Sequence, residues 1–256
     1  MAKGVSIKFK SYEDTIPRLL SLIKFDKEMQ KYNKIILKPY LGLETDKNTP
    51  AEFTEQVLKF CLANKSAEAE IFIAEGADGK DTLELFEENG YNRLAEQYSI
   101  GLVDLNNTEV DEILDGEFLK FDKIMYPKLL SEGFIVSLPK LAEDAEIDML
   151  GALSIMTGAF PAKYYSGVFS SRKNRIRKWP VKFSIHDILK CKMPEFAIID
   201  ASDKGAILAG VPLEMDKQAA RLLGKDWKSV SYLRLVNDSF MNEEKKEKAE
   251  KKEEEE

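Results

Sequence analysis

The sequence is poor in the residues that most often declare a chemistry. It holds two cysteines, Cys61 and Cys191, and one histidine, His186. Two cysteines cannot build the disulfide framework of a secreted scaffold, and their separation excludes a Cys-x-x-Cys metal or redox spacing. A reducing, cytoplasmic setting is therefore expected. A single histidine without clustered thiols argues against a conventional zinc or copper site. Ser184 and Asp187 stand beside His186 in "FSIHDIL", but the members of a nucleophile, base and orienter set come from different loops. His186 is expected to flank the start of a short helix led by Ser184. No apolar run approaches the roughly 18 residues of a spanning helix. The opening "MAKGVSIKFKSYEDTIPRLL" lacks a signal peptide's continuous apolar stretch, so no membrane association is expected. Positive charge is also in deficit: a net charge of -7 speaks against a general nucleic-acid binder.

What is present suffices for a packed core. With 256 residues, 44% hydrophobic and 32% charged, the chain can bury one large core or two modest ones. The most legible stretch is Pro194 to Gly224: the apolar runs Phe196 to Ile199 and Ala206 to Ala209 flank a tight polar turn and read as buried strands. An amphipathic helix follows from Met215 to Leu223, with Gly224 as its stop. Earlier, Asn33 to Leu37, Ile71 to Ala74, Ile100 to Val103 and Phe134 to Leu138 read as strands. Ala51 to Ala63, Leu83 to Gln97 and Ile147 to Met156 read as helices, the first with Thr49 as N-cap and Pro50 at its first position and the second interrupted around Gly90. Strands separated by helix-length segments predict an α/β fold, a mostly parallel central sheet flanked by helices. One domain over residues 1–242 is expected, with an irregular basic excursion over about 159–184 as its most mobile part. Residues 243–256, "EEKKEKAEKKEEEE", have no apolar face and read as a charged, disordered tail.

The candidate site follows from where the strands stop. Ligands of open parallel sheets bind beyond the carboxyl ends of the strands. Those ends carry Lys38, Glu75, Asp104, Lys140 and Asp200. Lys38, Glu75, Lys140 and Asp200 are the ligand-binding candidates, able to hold a small anion on the lysines or a hard divalent cation on the carboxylates. The loop "EGADGKD" after Ile73-Ala74 adds Asp78, so Glu75, Asp78 and Asp104 are the candidate metal ligands. An ordinary turn, with Asp81 or Thr82 capping the next helix, explains the same loop. In "SRKNRIRK", Arg172, Lys173, Arg175, Arg177 and Lys178 precede Trp179, a composition able to contact phosphate or single-stranded RNA by charge and stacking. A solvated loop is the plainer reading.

Several segments resemble the domain-of-unknown-function 362 family: "IILKPYL", "IFIAEGADGKDTLELFEENGY", "GLVDL", "FIVSLPKLAED", "LGALSIMTGAFP", "IIDA" and "ILAGVPLEMDKQAARLLG", within Lys34 to Val236. Lys38, Thr49, Glu75, Gly76, Lys140, Gly158, Asp200, Gly210 and Asp216 match the family pattern. Ala142 and Asp144 stand where that pattern has lysine and histidine, Ser154 and Ile155 where it has lysine and asparagine, and Tyr40 where it has asparagine. Many relatives carry a ferredoxin-like cluster domain, but the cysteines for an iron-sulfur cluster are absent here. If the family's site is an enzyme site, these replacements imply a reduced or redirected function. Three readings stay open: a protein binding a small anionic ligand or metal at its strand ends, a metal-assisted or redox-linked enzyme on a small anionic substrate, and a non-catalytic interaction protein engaging a macromolecule through its basic loop and acidic tail.

Overall fold

The computed structural model describes residues 4–167 and 170–240, so the expectation of a tail over 243–256 lies outside the described residues. Eleven strands are formed among them: β1 (Gly4–Lys8), β2 (Lys34–Pro39), β3 (Glu70–Glu75), β4 (Gly101–Asp104), β5 (Val110–Ile113), β6 (Ile124–Pro127), β7 (Phe134–Leu138), β8 (Ala142–Asp144), β9 (Asp148–Leu150), β10 (Phe196–Ala201) and β11 (Ala206–Gly210). The helices are α1 (Tyr12–Leu22), α2 (Phe25–Met29), α3 (Ala51–Asn64), α4 (Thr82–Glu88), α5 (Tyr91–Tyr98), α6 (Lys128–Glu132), α7 (Ala162–Tyr165), α8 (Lys182–Cys191) and α9 (Pro212–Leu222). Residues 231–240 are also helical.

Seven strands make one sheet in the order β1-β11-β10-β7-β2-β3-β4. β10, β7, β2, β3 and β4 run parallel, while β11 pairs antiparallel with both β10 and β1. The strands are apolar on both faces because both are covered. Ile35, Leu37, Phe196 and Ile198 pack with α1, α2 and α3 on one side. Ile36, Ala197 and Ile199 pack with α8, α9 and the 231–240 helix on the other. From β2 the chain moves outward through β3 and β4, then returns to β7 on the opposite side of β2. The strand order therefore reverses between β2 and β7, the place where such sheets open a crevice at their carboxyl ends.

Three local expectations are corrected. Ile147 to Met156 is not a helix: β9 gives way to a short 3-10 turn, Ser154–Ala159. The backbone donors of Ala152 and Leu153 are taken by the Asp216 carboxylate at 2.6 and 3.0 Å instead of by helical carbonyls. Thr49 does not cap α3. Its hydroxyl donates to the Leu138 carbonyl and accepts from the Tyr40 amide, at 2.6 and 2.9 Å, and ties β2 to β7. His186 lies well inside α8 instead of at its start. The capping expectation for Asp81 holds: its carboxylate accepts from the Leu83 and Glu84 amides.

Candidate functional site

β2 and β3 are parallel neighbours whose register sets Lys38 one residue from Glu75, so the two finish side by side. Lys38 Nζ donates to Glu75 Oε2 at 2.6 Å, and both side chains are buried. Two ions taken this far from water persist only when paired and hydrogen-bonded. Burial raises the Glu75 pKa, and the Lys38 and Lys173 ammoniums pull against that rise.

The turn Ser154–Ala159 closes over the pair. A Cβ at Gly158 would fall 2.4 Å from Glu75 Oε1 and 2.8 Å from Lys38 Nζ, and one at Gly76 would fall 2.3 Å from the Gly158 carbonyl. Glycine suits both positions because the backbone passes too close for a side chain, over the ion pair at Gly158 and against the Gly158 carbonyl at Gly76. Asp216 on α9 fixes the start of this turn. The Tyr232 hydroxyl donates to its carboxylate at 3.2 Å, and burial pushes its pKa up to about 7.

The basic excursion is docked onto this platform through Lys173. Lys173 is buried, and its Nζ donates to the carbonyls of Gly76 at 2.6 Å and Gly158 at 3.2 Å. Its amide donates to Asp78 at 2.7 Å. Burial lowers the Lys173 pKa to about 8, against the pull of Glu75 and Asp78. Ile176 is buried in the core below, and Arg177 bridges Asp78 at 2.7 Å and Glu146 at 3.0 Å. Arg172 remains exposed, its guanidinium without a hydrogen-bond or ion-pair partner among the described residues.

Between the platform and the excursion lies a cavity of about 280 Å³. Glu75, Lys173 and Arg172 line it, with Tyr40 and Lys47 from the β2 side and Asp144 and Glu146 from the segment after β7. Lys47 is held by Glu44 at 2.8 Å and Asp144 at 3.2 Å. Of the lining cations, Arg172 is thus the one left unpaired and Lys173 the one left without a carboxylate in contact.

The predicted residues separate into groups. Lys38 and Glu75 come together, though Lys38 sits behind Glu75 and not on the cavity wall. Lys140 and Asp200 are joined through their main chains, but their side chains leave the site. Lys140 contacts the Asp46 carbonyl at 3.0 Å and Asp203 at 3.2 Å. Asp200 accepts from the Tyr12 hydroxyl at 2.8 Å and the Ser202 amide at 3.0 Å. Asp104 accepts from Asn106 and Asn107 within its own turn, while Asp78 serves Arg177. Among the described residues, no group of three or more His, Cys, Asp or Glu side chains is placed to hold a metal ion. The basic run divides: Arg172, Lys173 and the ion-paired Arg177 line the cavity, and Arg175 and Lys178 face elsewhere. Tyr40, Lys47, Asp144 and Glu146 were not singled out as ligand-binding candidates, since nothing local in sequence marks them as sharing a cavity.

His186 belongs to a different cluster. Its Nδ1 lies 2.7 Å from Asp187 and its Nε2 2.9 Å from the Ser239 hydroxyl. Ser184 instead donates to the Ile176 carbonyl at 2.7 Å and accepts from Trp179 Nε1 at 3.2 Å. Asp187 accepts from three successive amides, Leu119 to Phe121. The cluster joins α8, the 119–121 segment and the 231–240 helix.

The sequence model described as "Domain of unknown function (DUF362)" matches residues 35–216, more than half of the chain. No curated protein matches. Among solved structures, the lactate racemase apoprotein from Thermoanaerobacterium thermosaccharolyticum is similar, with a TM-score of 0.58 and 16% identity. The likeness covers 88% of this chain and 58% of that one. It shows the fold; the chain spans little more than half the length of that protein.

Proposed function

The chain belongs to the domain-of-unknown-function 362 family, and on that premise we propose that it binds a small carboxylate-bearing anion in the strand-end cavity. The observation that carries this reading is Lys173, a second buried ammonium set beside a Lys38–Glu75 pair that is already neutral. Among the fully buried groups of the site one cation is therefore in excess, while Glu44, Asp78, Asp144 and Glu146 on the rim are held by Lys47 and Arg177. The Arg172 guanidinium, without an ion-pair partner among the described residues, stands at the same cavity. Carboxylate and guanidinium match in a planar, two-bond geometry. The fold neighbour is named for lactate, a small hydroxy acid of the size and charge this cavity suits. A second reading, acid-base chemistry on the bound anion, is favoured by Glu75. Burial raises its pKa against the pull of Lys38 and Lys173, and a carboxyl group with a shifted pKa at a cavity wall is the kind of group such chemistry uses.

Calorimetric titration of the full chain with L-lactate and, separately, inorganic phosphate tests the proposal. Saturable binding of lactate is expected, weakened about tenfold or more by Arg172→Ala, the scale of one lost charged hydrogen bond. Affinity should also fall as pH rises past about 8, where Lys173 loses its proton. Heats without saturation, or equal affinity in the Arg172 variant, would remove the basis for this assignment.

A further inference from the structure

We infer that a second site, separate from the strand-end cavity, takes a nucleoside polyphosphate in the groove between the β5–β6 hairpin and the outer side of the basic excursion. With Arg172, Lys173 and Arg177 at the strand-end cavity, the other two cations of the run, Arg175 and Lys178, line a cavity of about 540 Å³ together with Lys120, Lys123, Tyr164 and Trp179. That is within the range of small-ligand sites, about 300–1,000 Å³. Arg175, Lys178, Lys120 and Lys123 are all exposed. Two carboxylates, Glu112 and Asp122, share the lining, and Glu112 is already occupied by Lys123 at 2.8 Å. Arg175 and Lys178 have no ion-pair partner among the described residues. The groove is thus locally cationic on a chain whose net charge is -7, which selects for a ligand of concentrated negative charge.

The aromatic half of the groove is rigid. The Phe121 ring meets Trp179 at 5.4 Å and 80° and Tyr165 at 5.8 Å and 77°, and the indole N–H is held by Ser184. Trp179 and Tyr164 remain partly exposed. A fixed, partly open aromatic face beside unpaired cations fits a base stacked on the ring and phosphates on Arg175 and Lys178. Asp122 at the same rim would repel the continuing backbone of a longer strand, so a single nucleotide suits the groove better than an oligonucleotide.

The chain has two tryptophans, so in a Trp227→Phe background Trp179 alone reports. Titration of that full-length variant with ATP should quench Trp179 emission saturably. Arg175→Glu with Lys178→Glu should weaken ATP at least tenfold, and inorganic triphosphate should bind more weakly than ATP. Arg172→Ala should leave ATP affinity unchanged. Absence of saturable quenching, an unchanged affinity in the charge-reversed variant, triphosphate as tight as ATP, or a single-stranded RNA oligomer more than tenfold tighter than ATP would each overturn the inference. A loss of ATP affinity in the Arg172 variant would overturn the separateness of the site. Should Trp227→Phe fail to fold, calorimetry on the unaltered chain with ATP reads the same constant.

Discussion

Lys38 follows three apolar residues on β2, and Ile35, Ile36 and Leu37 are all fully buried. The strand thus delivers its ammonium into the protein interior at the level where Glu75 ends β3. Removing one partner of a buried pair leaves an uncompensated charge, typically costing about 3–5 kcal/mol. Lys38→Met should therefore lower the unfolding free energy by that order, and Lys38→Met with Glu75→Leu should recover much of the loss. Chemical denaturation of the three chains checks this, and additive losses in the double variant would mean the two groups act independently. Gly158 is the other residue of consequence at this scale. A methyl group there meets Glu75 Oε1, so Gly158→Ala should destabilise by about 1–3 kcal/mol through overpacking.

α9 holds the 151–159 segment through Asp216, whose carboxylate accepts from the Ala152 and Leu153 amides, and its raised pKa makes stability depend on pH. The folded-state pKa is raised from 3.8 to about 7, so between those values the folded state holds more protons than the unfolded one. Stability from this group is fully present below the unfolded value and is lost as pH rises through about 7. Denaturation midpoints should therefore decline from pH 5 to pH 8 by a component that Asp216→Asn abolishes; an unchanged slope in the variant would assign it to other groups. The same anchoring explains why this segment was misread in sequence. Ile147 to Met156 has helical spacing, but Asp148 adopts φ +71° and its carboxylate is taken by the Ser231 amide and hydroxyl at 3.0 and 3.1 Å. Partners from α9 and the 231–240 helix, distant in sequence, override the local pattern. The strands β2, β3, β7, β10 and β11 were legible because burial on both faces leaves them as continuous apolar runs. β1, α1 and the β5–β6 hairpin carry no comparable signal: β5, Val110–Ile113, has an Asp-Glu centre and exposed side chains.

For the whole molecule, the reversal of strand order between β2 and β7 puts a crevice at the carboxyl ends, and the chain's own basic excursion covers it. The expectation of a strand-end site was legible in the residues that end the strands, but its membership was not. Lys140 and Asp200 end neighbouring segments, yet their side chains turn to Asp203 and Tyr12. Lys173 is one of five cations in a single run, and only the docked backbone distinguishes it from Arg175. Diffraction from crystals of the full chain soaked in L-lactate would reveal whether this covered crevice receives a small carboxylate. The expected result is a lactate whose carboxylate lies within hydrogen-bonding distance of Arg172 or Lys173. A cavity holding only water at saturating lactate, or lactate bound solely outside it, would exclude the crevice as a carboxylate site.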